Sequence, residues 1–142
     1  MHFADMGTSS MMAAGSHVRA IGWLDVRHPF PTGRLDAAVV DRIGTFAKSW
    51  RLSVAALEWP FAAGDHTCEL CGSFDSSGNL GVPAGEILFV CPEMIAHYVG
   101  AHDYLPPKEF VEAIKQAPLP GSDEYTAAVS RFRNFDRAIS PR

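Results

Sequence analysis

Stripes of apolar residues at helical spacing mark three stretches of this chain. The first lies between residues 36 and 50, where the apolar side chains would face one side of a helix. This stripe consists of Val39, Ile43, Phe46, Ala47 and Trp50. Asp36 stands directly before it and is a favoured N-cap residue, so the pattern predicts a helix from Asp36 to about Trp50.

Three more helices are predicted in the C-terminal third. Pro92 is tolerated at a first helical position and predicts a helix to about Ala101. Pro106-Pro107 precedes a second stripe, formed by Phe110, Ala113, Ile114 and Ala117. Ser122 is a good N-cap for a last helix, whose stripe is Tyr125, Ala128, Val129 and Phe132.

Short apolar runs bounded by Pro and Gly predict strands. The expected strands cover residues 18–24, 52–59, 79–83 and 86–90, with another short one near Phe3. Ala84-Gly85 between the last two suits a tight turn, so these strands are expected to form a hairpin.

The strongest chemical signal is Cys68-x-x-Cys71, followed by His97-x-x-x-x-His102. Two thiolates and two imidazoles make a complete tetrahedral ligand set for Zn²⁺, and a set of four protein ligands is typical of a structural site. The predicted hairpin would carry the histidine helix back over the cysteine knuckle. The pattern therefore predicts zinc bound by Cys68, Cys71, His97 and His102.

His102 is the least secure member of this set. Five residues of an ideal helix rotate by about 500°, so the rings of His97 and His102 would diverge by about 140° unless the last turn loosens near Gly100. His66, two residues before Cys68, is an alternative or additional ligand. If His66 replaced His102, the site could keep an open position for water. Cys91 is expected to be a buried core thiol.

Together these elements predict an α+β fold, with a small antiparallel sheet, a zinc-knuckle, hairpin and helix unit, and about four helices. Residues 1–16 lack a periodic pattern and are expected to form an irregular N-terminal arm. Residues 17–142 are expected to form a single zinc-binding domain.

Composition and charge limit the cellular compartment and the classes of partner that we expect for this protein. The 142 residues include 47% hydrophobic residues and carry a formal net charge of −4. An acidic balance argues against nucleic acid as the partner. No apolar run approaches the length of a membrane span, and no segment resembles a signal peptide. Three cysteines suit a metal site in a reducing compartment, so we expect a cytoplasmic protein.

These observations favour a binding protein over an enzyme. The leading hypothesis is a structural zinc domain that binds another protein, with a homodimer as one form of that interaction. The alternative is a metal-dependent hydrolase in which His66, Glu69 or Glu93 assists a zinc-bound water. A nucleic-acid-binding zinc finger is the third hypothesis.

Several longer motifs resemble those of a bacterial family of small uncharacterised proteins. The motifs are Gly22-Trp23-Leu24, the turn His28-Pro-Phe-Pro-Thr-Gly33, the Cys68–Cys71 knuckle, His97-Tyr-x-x-x-His102, and Tyr104-x-Pro-Pro-x-x-Phe110. The resemblance spans about residues 17–117. It implies that the two cysteines and the two histidines belong together and that Cys91 is incidental. It implies no activity and no substrate.

Overall fold

A three-stranded sheet and a two-stranded ribbon are combined with helices in this protein. The computed structural model describes residues 2–60 and 65–138, with side chains as far as Arg133. Within these ranges the elements are β1 (Val18–Ala20), α1 (Ala37–Lys48), α2 (Trp50–Leu57), β2 (His66–Thr67), β3 (Asp75–Ser76), β4 (Asn79–Ala84), β5 (Ile87–Pro92), α3 (Ile95–His102), α4 (Lys108–Gln116) and α5 (Asp123–Ala138). The predicted α+β class is confirmed.

The three-stranded sheet has the order β1-β5-β4. The predicted hairpin is confirmed as the antiparallel pair β4–β5, with Gly81 opposite Val90. On its other side β5 pairs with β1 in parallel, with Val18 opposite Leu88, so the sheet is mixed. The central position of β5 explains its run of buried apolar residues, because both of its faces are covered.

The hairpin turn and the start of α3 differ from the prediction by a few residues. Ala84 still pairs with Ile87, so the turn consists of Gly85 and Glu86. Gly85 has a φ of 61°, a conformation that glycine adopts without a steric penalty. Pro92 is the last residue of β5 and does not begin the helix, which starts at Ile95.

The strand predicted over residues 52–59 is wrong, because this segment forms helix α2. Its buried residues Trp50, Ser53, Val54 and Leu57 recur at helical spacing and face the core. The predicted first helix therefore ends at Lys48 rather than Trp50. Asp36 does occupy the N-cap position of α1, but its side chain makes no capping hydrogen bond.

The other predicted helical stripes are confirmed as core. Val39, Ile43, Phe46 and Ala47 of α1 are buried, as are Phe110, Ala113 and Ile114 of α4. Ser122 caps α5 as predicted, since its Oγ accepts the Tyr125 N–H at 3.1 Å. These helices pack against the hairpin and against one another around a single cluster of buried side chains.

A closed ring of hydrogen bonds ties α2, α5 and the sheet together. The hydroxyl oxygens of Ser53 and Tyr125 are 2.6 Å apart, and the Tyr125 hydroxyl donates to the Gly81 carbonyl at 2.7 Å. The Gly81 N–H donates in turn to the Ser53 oxygen at 2.9 Å. Each polar group of the ring therefore has a partner, although the ring lies inside the core.

The N-terminal residues lie along β1 in an irregular conformation. The Met6 N–H donates to the Ala20 carbonyl, and the Ala20 N–H donates to the Gly7 carbonyl, each at 2.8 Å. Phe3 is not in a strand, and β1 is shorter than predicted. The division into an arm and one domain stays a prediction. Among the described helices, none has the length and apolar character that crossing a bilayer requires.

Candidate metal centre

The two cysteines lie on a tight knuckle that closes the β2–β3 ribbon. The ribbon pairs Thr67 with Asp75, and the Cys68 N–H continues it by donating to the Phe74 carbonyl at 2.8 Å. The Gly72 N–H then donates back to the Cys68 carbonyl at 2.8 Å. Gly72 has a φ of 68°, which a residue with a side chain adopts only with strain. The chain therefore turns sharply enough to direct both thiols to one side.

The two histidines lie on α3, and its last turn is wider than a regular α-helical turn. The Asp103 N–H donates to the Tyr98 carbonyl, five residues back instead of four. Asp103 itself is left-handed, with a φ of 55°. Such a widening reduces the angular divergence between residues five apart. It explains how His97 and His102 reach one site, and it lies at the end of the helix where a loosened turn was expected.

The four predicted ligands converge. One ligand atom from each of Cys68, Cys71, His97 and His102 lies within 4.8 Å of the other three. The Sγ of Cys68 is 3.6 Å from Nε2 of His102, and the Sγ of Cys71 is 3.4 Å from Nε2 of His97. Tetrahedral zinc with bonds of about 2.3 Å to sulfur and about 2.05 Å to nitrogen requires a sulfur–nitrogen separation of about 3.6 Å. These two separations match that value, and the four ligand atoms lie close enough together to hold a metal ion.

Burial shifts the pKa values of one thiol and one imidazole in the group. Burial raises the pKa of the Cys68 thiol, while hydrogen bonds from the backbone of Cys71 and Leu70 partly oppose that shift. Burial and the neighbouring His102 lower the pKa of His97, which keeps its ring neutral and able to bind a metal. A divalent ion would compensate the thiolate charges that burial otherwise disfavours.

Phe74 and Tyr98 flank the histidines. The Phe74 ring stacks on His97 with centroids 4.4 Å apart and an interplanar angle of 6°, so it supports the orientation of that imidazole. No feature of the sequence had linked Phe74 to the site. The Tyr98 ring is centred 6.3 Å from that of His97 and 6.5 Å from that of His102, and burial raises its pKa to about 12.

His66 and Cys91 lie outside the four-residue group. His66 is exposed on β2, opposite Ser76 in the ribbon. Among the described residues, no further histidine, cysteine or carboxylate joins the four. Cys91 is fully buried in β5, as predicted, and burial raises its pKa well above the usual value.

The carboxylates considered as general bases are engaged elsewhere. Glu93 accepts the Gly78 N–H at 3.0 Å and fixes the start of β4. Glu69 accepts the Val26 N–H at 3.3 Å. Both contacts are structural links between loops, and neither glutamate is part of the ligand group.

The turn at residues 28–33 pairs with the segment that follows α3. The Leu105 N–H donates to the Pro31 carbonyl, and the Gly33 N–H donates to the Asp103 carbonyl, each at 3.0 Å. Two of the motifs singled out in the sequence therefore meet in space. This pairing fixes the chain directly after His102.

Comparison with protein families gives a match over most of the chain. Residues 1–115 match the model of a domain of unknown function, DUF7919. The matched range contains all four residues of the ligand group and reaches into α4. Searches of curated proteins and of solved structures found no match.

Proposed function

The chain belongs to the DUF7919 family, and from its ligand group we propose that it is a small zinc-binding protein whose ion is structural and whose surface binds another protein. The observation that carries the proposal is the convergence of two thiols and two imidazoles within 4.8 Å. Among common metals, zinc is the one that combines tetrahedral geometry with this mixed sulfur and nitrogen set.

The structural role follows from the number and the position of the ligands. Four protein ligands complete a tetrahedral shell and leave no position for a substrate or a water. The ion would join the two-residue strands β2 and β3 to the end of α3, and such short strands are barely stable alone. The ion would therefore cross-link the fold where the backbone hydrogen bonding between strands is weakest.

A hydrolase would need an open metal position and a free base nearby. The open metal position of the hydrolase hypothesis required His66 to replace His102 as a ligand. His102, however, is the histidine that lies with the two cysteines. The carboxylates of Glu69 and Glu93 accept backbone N–H groups. The geometry thus favours binding over catalysis.

The exposed apolar residues beside the knuckle support protein binding. Phe74, which covers His97, is 39% exposed, and Val26, whose N–H contacts Glu69 of the knuckle, is 61% exposed. Large exposed apolar side chains are typical of interaction sites when they form a patch. We call Val26 and Phe74 the knuckle face and propose that it contacts the partner, in a reducing compartment such as the cytoplasm.

The ligand set is tested by replacing the two competing histidines. We expect His102→Ala to lose bound zinc and His66→Ala to retain about one equivalent, measured by elemental analysis of protein purified without added zinc. Equal zinc in both variants, or loss only in His66→Ala, would overturn the assignment of His102.

The partner-binding role is tested with a matched pair of surface variants. Val26→Asp places a charge on the knuckle face, whereas Leu52→Asp does so at another exposed apolar residue, on α2. Self-association by sedimentation equilibrium, and capture of proteins from a lysate of the source cells, should be reduced only by Val26→Asp. If neither property differs between the two variants, the knuckle face is not the contact surface.

A further inference from the structure

The three cysteines of this chain all lie in its described segments, and Cys71 is the one exposed to solvent. Cys68 is only 1% exposed and Cys91 0%. The turn beside Cys71 is also open, because a Cβ built on Gly72 would meet no atom within 4 Å. The thiolate is the reactive form of cysteine, and a bound metal ion keeps its cysteine ligands deprotonated. Cys71 is therefore the cysteine that a dissolved oxidant reaches first.

Cys68 supplies a second sulfur close to that of Cys71. The two Sγ atoms lie within 4.8 Å of each other, on the turn that the Gly72 N–H closes by donating to the Cys68 carbonyl. A disulfide bond of about 2.05 Å therefore requires the two sulfurs to approach each other by less than about 3 Å. Cys91 lies on β5 and is not part of the ligand group. The geometry thus favours a disulfide between the two cysteines of the knuckle.

Metal binding and disulfide formation compete for the same two sulfur atoms. Each sulfur lies beside an imidazole of the ligand group, with Sγ–Nε2 separations of 3.6 Å for Cys68 and 3.4 Å for Cys71. Both sulfurs ligate an ion as thiolates, whereas a disulfide carries no negative charge and leaves the ion two imidazoles as its protein ligands. Structural zinc sites have four protein ligands, so oxidation of the two sulfurs should release the ion.

We propose that Cys71 is an oxidative modification site, at which hydrogen peroxide starts the conversion of the two knuckle cysteines to a disulfide and releases the zinc ion. The Cys71 thiolate attacks one peroxide oxygen, the O–O bond breaks, and the departing hydroxide takes up a proton to form water. The Cys68 thiolate then attacks the sulfur of the resulting Cys71 sulfenic acid, the S–O bond breaks, and a second hydroxide leaves and is protonated to water. The two sulfurs together lose the two electrons that reduce the peroxide, and the zinc ion keeps its charge.

The modification would regulate the same site and rests on the structural zinc ion of the proposed function. Loss of the ion would release the β2–β3 ribbon from α3 and with it the stacking of Phe74 on His97. Phe74 belongs to the knuckle face. A partner that contacts this face should therefore bind the reduced, zinc-loaded protein and dissociate from the oxidised protein.

Treatment of the zinc-loaded protein with a small excess of hydrogen peroxide tests the proposal. A chromophoric chelator measures the release of zinc, and mass spectrometry of peptides, after alkylation of the remaining thiols, identifies the disulfide. We expect about one disulfide between Cys68 and Cys71 for each zinc released, with Cys91 still a free thiol. A dithiol reductant followed by added zinc should restore both the zinc content and the Tm.

Three variants separate the roles of the cysteines. Cys71→His keeps a ligand for zinc but removes the exposed thiolate, and it should slow the release of zinc by peroxide at least about tenfold. Cys68→His keeps the exposed thiolate but removes its partner, so oxidation should stop at a sulfenic acid on Cys71, which dimedone traps. Cys91→Ala is the matched control and should release zinc at an unchanged rate. If neither histidine variant binds zinc, the peptide analysis of the unaltered chain decides.

The outcomes distinguish this proposal from the structural ion on which it rests. A protein that purifies without zinc, and whose Tm chelation does not change, would contradict the structural ion and the proposal together. A protein that holds zinc and loses stability on chelation, but keeps its zinc in peroxide, would overturn the redox proposal alone. Zinc release would also overturn it if the products were sulfinic or sulfonic acids, a disulfide to Cys91 or a disulfide between two chains, or if Cys71→His released zinc at the same rate.

Discussion

Tyr98 and Tyr125 are both buried, yet their hydroxyl groups stand in opposite situations. The Tyr125 hydroxyl is bonded to Ser53 and Gly81, whereas that of Tyr98 has no hydrogen-bond partner among the described residues. We expect Tyr125→Phe to lower the free energy of unfolding by about 1–3 kcal/mol and Tyr98→Phe to change it by less than about 0.5 kcal/mol. Urea unfolding of both variants measures this difference. Equal losses would show that the Tyr98 hydroxyl has a structural partner.

We expect a substitution of Phe74 to change the zinc affinity rather than the packing of the core. Its stacked ring holds His97, and such contacts are worth about 0.5–1.5 kcal/mol. Phe74→Ala is therefore expected to weaken zinc binding by about two- to tenfold, measured by competition with a chelator. Val26→Ala, at an exposed neighbour of the knuckle, is the control and should leave the zinc affinity unchanged. An unchanged affinity in Phe74→Ala would contradict the supporting role of the ring.

The knuckle between β2 and β3 depends on the backbone of Gly72. A Cβ there would meet no atom within 4 Å, so the cost of Gly72→Ala is conformational only. With a φ of 68° that cost is about 1–2 kcal/mol. We expect weaker zinc binding and a lower free energy of unfolding in calorimetry of the zinc-loaded protein.

Gly44 in α1 provides the matched control for that substitution. Its Cβ position is also open, but it lies inside a helix. Gly44→Ala should therefore stabilise the protein by about 0.5–1 kcal/mol. If both alanines had the same effect, the left-handed turn would not be the reason for glycine in the knuckle.

At the scale of elements, local patterns predicted the helices with clear stripes and the hairpin, and failed where two patterns overlap. Residues 52–59 contain enough apolar residues for either a strand or a helix, and the contacts of Val54 and Leu57 with the core decide for α2. Pro92 suits both a helix start and a strand end. Its pairing with Asn79 across the hairpin, which lies outside any local pattern, determined the outcome.

At the scale of the whole molecule, the sequence revealed the ligand group, whose members come from two separate segments of the chain. Cysteine and histidine spacing restricts which residues can share an ion, and the four predicted residues do lie together. The sequence showed that the last turn of α3 had to loosen for both histidines to reach one ion. Whether it does so depends on backbone hydrogen bonds that residue spacing does not predict.

Zinc removal should destabilise the whole protein if the ion is structural. For a free ion at about 1,000 times its dissociation constant, binding adds about 4 kcal/mol, which corresponds to a Tm change of about 10 °C for a chain of this size. We expect Cys68→Ser to show this loss without chelator. Cys91→Ala should keep its zinc and should still lose stability on chelation. A Tm that chelation does not change would contradict a structural ion.

The central claim is a closed shell of two sulfur and two nitrogen ligands, and X-ray absorption at the zinc edge tests it most directly. Protein purified without added metal should contain about one zinc per chain, with two sulfurs at about 2.3 Å and two nitrogens at about 2.0–2.1 Å. A shell that contains an oxygen ligand or a single sulfur, or a zinc content below about 0.3 equivalents, would contradict the account.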